Sequence, residues 1–225
     1  MNINAPSHLN EHGYLLLEDL LSPQTLDHMR QAADQCHKEV CVWFLDQVPS
    51  ILGQSLWSGP IADAIIATLG PKAVFLSVKA VCKGHVESRP SPWHQDYPYW
   101  RGSLPKYSLW LALDDATPDN GCLRVIPGSH QRLLEHGRTT GSDRRFGNRI
   151  TTGLDESRAV DVPMRTGQGL LFHDLLVHAS HPGQTGRSRR SLIATYRSQP
   201  HEDNDFWPNC QPLRSVVESS LDLDG

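Results

Sequence analysis

Beyond Pro71 the chain breaks into short apolar or alternating runs at 73–81, 107–114, 122–127, 169–179 and 190–197, each bounded by Gly, Pro, Asn or Asp. Runs of this kind, punctuated by turn signals, predict an all-β sandwich or barrel. Before Pro71 the pattern is different. Residues 13–21 read as extended, and Ser22-Pro23 then sets a good N-cap ahead of a proline suited to a first helical turn. Leu26, Met29, Ala33, Cys36 and Val40 recur at helical spacing, so a helix is expected over 23–39. A second should cover Pro60 to Leu69 and stop at Gly70-Pro71. The expectation is mainly β with N-terminal helices: one domain over 1–225, helical to residue 70, with a β core over about 71–200. Residues 131–160, with little periodicity, are the longest loop candidate and would serve as a lid or substrate loop.

Composition excludes several classes. A chain of 225 residues with 38% hydrophobic and 20% charged residues supports one sizeable core and is not a disordered sequence. A net charge of −4 gives no pull toward nucleic acid or an anionic membrane. No window approaches the roughly 18 apolar residues needed to span a bilayer, and no basic segment leads into an apolar one. Five cysteines without a C-x-x-C pair fit free thiols in the cytoplasm.

The segment SPWHQDYPYW, 91–100, carries the first candidate chemistry. In an extended strand His94 and Asp96 project to one side while Gln95 points away, so both could hold a single ion. His-x-Asp alone recurs by chance and leaves a buried histidine open as the alternative. The segment GQGLLFHDLLVHASHPGQTGRSRRSLIATYR adds His173, His178 and His181. His173 and His178 fall on opposite faces of an alternating run, so one must be chosen. His178 with His94 and Asp96 would complete the two-histidine, one-carboxylate triad that leaves positions open on ferrous iron. Arg189, eleven residues beyond His178, could return on a neighbouring strand. There it shares a face with Ser191, and a guanidinium fork beside a hydroxyl would receive the far carboxylate of a bidentate metal ligand. A solvated basic edge is the other reading of Arg187, Arg189, Arg190 and Arg197, and it is expected for at least Arg187.

Together with GYLLLEDLLSPQTLDHMR and NGCLRVIPGSH, these segments resemble the phytanoyl-CoA dioxygenase family of Fe(II)/2-oxoglutarate oxygenases over most of the chain. The resemblance implies a double-stranded β-helix, a cupin-like jelly roll, with iron at the barrel mouth. His94, Asp96 and His178 map to the metal ligands and Arg189 to the anchor of 2-oxoglutarate. Trp110 and Ser180 map beside the cosubstrate, while Ser191 follows an Arg-x-Ser pattern of the wider superfamily and Lys79 precedes the motif on a strand where cosubstrate contacts occur. His173 maps to a residue that is not a ligand, and His130 to a turn.

The implied reaction uses Fe(II), 2-oxoglutarate and O2, with ascorbate as reductant. Because Asp96 fills the position that is Gly or Ala in related halogenases, hydroxylation is expected. Desaturation or cyclisation stays open. A small metabolite, an amino acid or natural-product intermediate, is preferred over an acyl-CoA, an acyl carrier or a protein side chain. Candidate substrate contacts are Trp93, Tyr97 and Tyr99 beside the motif, and Arg144 and Arg145 in the loop. Core packing is the competing reading of the rings, and solvent exposure that of the arginines.

Overall fold

The computed structural model describes residues 5–35, 40–83, 89–100, 102, 104–138, 147–183, 189–201 and 209–215. In chain order the elements are α1 (Ala5–His12), β1 (Tyr14–Leu17), α2 (Pro23–Asp34), β2 (Val40–Phe44), α3 (Ser50–Trp57), α4 (Gly59–Leu69), β3 (Val74–Lys83) and β4 (Lys106–Ala112). They continue with β5 (Leu123–Val125), β6 (His136–Arg138), β7 (Asn148–Ile150), β8 (Val160–Val162), β9 (Gly169–His173), β10 (His178–Ser180), β11 (Arg189–Arg197) and β12 (Gln211–Pro212). The larger sheet runs β1-β9-β4-β11-β3-β12, with β2 also on β3; a second sheet runs β10-β5-β8. All these pairings are antiparallel. The result is the all-β core expected from the turn-punctuated runs, in the jelly-roll form that the family resemblance implies.

Alternation divides each strand of the larger sheet between two cores. Leu109, Leu111, Leu171, Leu192, Ala194 and Tyr196 face outward and pack with Met29, Leu52, Leu56, Ile61 and Ile65 of the helices. Trp110, Ala112, Leu170, Phe172 and Ile193 face inward and pack with Cys122, Leu123 and Val125 of the second sheet. Tyr196 is fully buried and donates its hydroxyl to the Leu56 carbonyl at 2.8 Å, joining α3 to β11.

Several expectations are corrected. Helix α2 ends at Asp34 instead of 39, and Val40, expected on its apolar face, opens strand β2. The β-branched and aromatic run VCVWF finds a ladder on β3, and that tertiary pairing overrides the helical spacing. Helix α3 was not anticipated. The run at 169–179 is not one strand: β9 ends at His173, and the chain turns before β10 joins the other sheet. Within 131–160, the described residues include the β6–β7 pairing, a 3-10 turn at Glu156–Arg158 and the start of β8. Cys41 is disulfide-bonded, against the expectation of free thiols, whereas Cys82, Cys122 and Cys210 are free.

An ion cluster fastens α2 to the sheet. Arg190 binds Asp114 bidentately, with Nε and Nη2 each at 2.9 Å, and reaches Asp34 through Nη1 at 2.9 Å. Arg30 donates to the Leu113 carbonyl at 2.9 Å and to Asp114 at 3.3 Å. Arg190 is therefore a structural clamp, not a solvated edge. Partial burial opposes ionisation of Asp114, but hydrogen bonds from Arg190 and the charge of Arg30 hold its carboxyl below the usual range. Its stabilising contribution is thus present above the ordinary carboxylate pKa and is lost as pH falls through the depressed folded value. Asp114→Ala should lower urea-unfolding stability by about 1–3 kcal/mol at neutral pH. The gap from wild type should narrow in acid; a gap independent of pH would contradict the clamp.

Candidate metal centre

Two backbone hydrogen bonds build the centre. His94 and His178 form an isolated antiparallel bridge, each N–H donating to the other's carbonyl at 3.0 Å. Such a pair sends both side chains from the same side of the ladder, and the imidazole centroids lie 4.1 Å apart. The expectation of an extended strand through Asp96 is corrected here: the bridge lasts one residue, and Asp96 turns into αR conformation ahead of a 3-10 turn at Tyr97–Tyr99. Pro90, Pro92 and Pro98 lack the N–H groups that a longer ladder needs. Asp96 still reaches the histidines, with Oδ1 at 3.8 Å from His94 Nε2 and 3.9 Å from His178 Nε2.

Hydrogen bonds orient all three groups. His94 Nδ1 lies 2.7 Å from the Pro92 carbonyl and His178 Nδ1 lies 3.0 Å from the Leu176 carbonyl. A carbonyl only accepts, so each Nδ1 carries the proton and each Nε2 presents a lone pair. Burial, together with the neighbouring His178, pushes the His94 pKa down; burial likewise lowers that of His178. Burial opposes ionisation of Asp96, yet Lys79, the two imidazoles and the Ser108 hydroxyl hold its carboxyl below the ordinary range. Ser108 Oγ donates to Asp96 Oδ2 at 2.9 Å, leaving Oδ1 toward the histidines. Two neutral imidazoles and one carboxylate, with ligand atoms within 4.8 Å of one another, suit a divalent transition metal.

The centre opens on a cavity of about 810 Å³ between the sheets, whose lining includes Lys79, Lys83, Tyr99, Trp110, Ser180 and Arg189. Arg189 is 1% exposed, with its guanidinium carbon 4.9 Å from the Trp110 ring centroid. Ser191 shares its face but is not among the lining residues, because its hydroxyl donates to the Val81 carbonyl at 3.1 Å. Of the aromatic candidates, Tyr99 lines the cavity, edge-on to His94 and bonded to the Asn148 N–H at 2.9 Å. Trp93 instead packs against Arg124, 5.0 Å from the ring centroid, and neither it nor Tyr97 lines the cavity. Arg144 and Arg145 lie outside the described residues. His173 stands edge-on to Tyr107 and beside His130, away from the centre.

Sequence reasoning missed two supports. Gln95, fully buried, binds the Arg132 and Leu175 carbonyls through Nε2 at 2.8 and 2.6 Å and receives the Leu134 N–H at 2.8 Å. Lys83, 4% exposed, donates to Ser180 Oγ at 3.0 Å and to the carbonyls of His181 and Arg89 at 2.8 and 3.2 Å. The signal for Lys83 was in NGCLRVIPGSH: Gly121 has φ +97°, and a Cβ there would stand 2.9 Å from Lys83 Cδ. Gln95 had no such signal beyond pointing away from the metal.

The chain matches the Phytanoyl-CoA dioxygenase (PhyH) family over residues 44–191. It is 28% identical to the methylphosphonate hydroxylase of Gimesia maris over 86% of this chain and 80% of that protein. To the L-proline trans-4-hydroxylase of Streptomyces griseoviridis it is 26% identical over 74% of this chain and 66% of that protein. The crystal structure of EvdO2 from Micromonospora carbonacea var. aurantiaca complexed with 2-oxoglutarate shares the fold, with TM-score 0.73 and 23% identity over 90% of this chain and 93% of that one. Among the described residues, no helix is long and apolar enough to cross a membrane.

Gln95→Leu keeps the volume but strands the Leu134 N–H and two carbonyls. It should cost about 2–4 kcal/mol in chemical denaturation and weaken binding of cobalt(II), read by its absorbance; unchanged stability would show that the three contacts do not fix this segment.

Proposed function

The chain belongs to the phytanoyl-CoA dioxygenase family and is a non-haem iron and 2-oxoglutarate-dependent dioxygenase, and on that premise we propose that it hydroxylates an unactivated C–H bond of a small metabolite, an amino acid or a natural-product intermediate. The observation that carries this reading is the convergence of His94 Nε2, His178 Nε2 and Asp96 Oδ1 at the wall of a cavity that also contains Arg189. The donor set fits iron(II), and three protein ligands leave positions for other groups. Bound iron and 2-oxoglutarate supply the oxidation, using O2 and releasing succinate and carbon dioxide.

The protein's own part is orientation and exclusion of water. His94 and His178 hold their protons on Nδ1 and offer Nε2 to the metal. Asp96 fills the third position, kept ionised by its neighbours and turned by Ser108. Arg189, steadied by Trp110, would receive the distal carboxylate of 2-oxoglutarate as a charge-assisted fork. Ser180 Oγ is held by Lys83 Nζ and the Ser91 N–H, each at 3.0 Å, and by the Ser91 hydroxyl at 2.9 Å, which would fix it on the cavity wall beside the same carboxylate. Ser191 would act at one remove, through the β3–β11 ladder. Tyr99 closes the side toward Asn148. The names of the relatives, methylphosphonate and L-proline hydroxylases, support a small substrate. Ascorbate as reductant and a cytoplasmic setting belong to the same proposal.

Purified protein with iron(II), ascorbate and a metabolite panel should release carbon dioxide from 2-oxoglutarate labelled at carbon 1, with a matching product of added oxygen. Asp96→Ala should abolish both. Arg189→Met should raise the KM for 2-oxoglutarate on the order of 100-fold, the loss of a charge-assisted fork. Full turnover by Asp96→Ala, or an unchanged cosubstrate KM in Arg189→Met, would remove those residues from the proposed roles.

A further inference from the structure

Resting on the iron and 2-oxoglutarate reading above, we propose that Lys79 and the facing β2 wall form a substrate subsite for a small organic anion. Its carboxylate or phosphonate would sit on the Lys79 ammonium, and its apolar body against Val42, Phe44 and Trp100.

Position separates Lys79 from the cosubstrate anchor. Lys83 pairs with Arg189 across the β3–β11 ladder, whereas Lys79 pairs with Ile193 on β11 and with Val42 on β2. Four residues of strand put the two lysine Cα atoms roughly 13 Å apart. Lys79 thus belongs to the β2 side of the cavity, yet it stays close enough to the centre for its charge to favour the ionised form of Asp96.

The surroundings of Lys79 leave its charge weakly compensated. Among the described residues, its ammonium has no hydrogen bond or ion pair within the distances that define one, and its neighbour is the Trp100 ring, with the centroid 5.5 Å away. Lys79 is half-buried, and a ring face gives its ammonium little compensation for the water that burial excludes. With iron bound, Asp96 and the keto-acid carboxylate of the cosubstrate would together balance the two charges of the ion. Arg189 would balance the distal carboxylate, which leaves Lys79 for a further anion.

The wall beside it is apolar. Val40, Val42 and Phe44 line the cavity on alternate positions of β2, and Val40 and Val42 remain 44% and 49% exposed. Exposed β-branched residues flanking a cation match a ligand with a short hydrocarbon body and one charged end.

The test uses the full-length protein with iron(II) and 2-oxoglutarate and a panel of short-chain carboxylates, amino acids and alkylphosphonates beside their neutral esters and amides. Succinate formation and product mass are read for each. Anionic members should be turned over at least about tenfold better than their neutral partners, the cost of one charge-assisted contact. Lys79→Met should raise the KM for the preferred anion roughly 10- to 100-fold while leaving the KM for 2-oxoglutarate unchanged, and Lys79→Arg should restore it.

Binding is read separately by carbon-13 NMR of reductively methylated lysines. The signal lost in Lys79→Arg should shift when methylphosphonate or propionate is added to the wild-type protein. Equal turnover of neutral partners, no shift of that signal, or a Lys79→Met defect confined to the KM for 2-oxoglutarate would overturn the assignment. Absence of succinate under every condition would sink the iron reading instead, and the NMR titration would then decide the fate of Lys79 alone.

Discussion

The reciprocal backbone hydrogen bonds between His94 and His178 are the smallest possible piece of β-sheet, and the centre depends on them. One of these residues lies in a proline-rich segment that forms no ladder of its own; the other opens a three-residue strand. A lone bridge cannot fix a segment, so side chains do it around the bridge. Gln95 ties the next residue to the 132–134 and 175 backbones, and the Ser91 N–H and Lys83 converge on Ser180 two residues beyond the other histidine. Gln95, Lys83 and Ser180 are polar side chains made costly by burial and then satisfied, which gives the segment one conformation instead of several.

The larger sheet separates stability from chemistry by alternation. On β11, Leu192, Ala194 and Tyr196 face the helices, while Arg189, Ile193 and Thr195 face the cavity. On β3 the same division sets Val78 and Ala80 against Ser77, Lys79, Val81 and Lys83. Charged groups on the inward face contribute little to folding and cost desolvation. The outward face therefore needs a well-packed helical layer, fastened by the Asp114–Arg190 cluster and by Tyr196. The N-terminal region has a second task as well, since β2 crosses from that region to form part of the cavity wall.

Charge in the cavity is unevenly spread. Arg189 and Lys83 face each other across one end of the β3–β11 ladder, and Lys79 stands four residues along β3. Asp96 sits between buried imidazoles that are held neutral, so a bound cation would meet a single negative ligand there. Such a site favours a metal whose remaining charge is met by an anionic cosubstrate.

Much of this was legible in the sequence because it rests on periodicity and on residue chemistry. The turn-bounded runs gave an all-β core and the family resemblance its jelly-roll form, whereas His173 and His178 are kept apart by the break between β9 and β10, not by opposite faces of one strand. Arg189 and Ser191 were correctly read onto one face, but a hydrogen bond to Val81 turns the Ser191 hydroxyl into the ladder, which no spacing rule reports. The same limit explains Val40, whose helical spacing lost to pairing with β3, and Trp93, which packs on Arg124 although it adjoins His94. The sequence by itself determined which residue types were present for metal and carboxylate chemistry and, on β11, which strand face Arg189 and Ser191 share, because side-chain alternation is a local property of the backbone. Only the tertiary structure decided that one isolated bridge sets His94 opposite His178, that Lys83 reaches Ser180 past Gly121, and that Lys79 faces β2, because those distances arise from segments far apart in the chain.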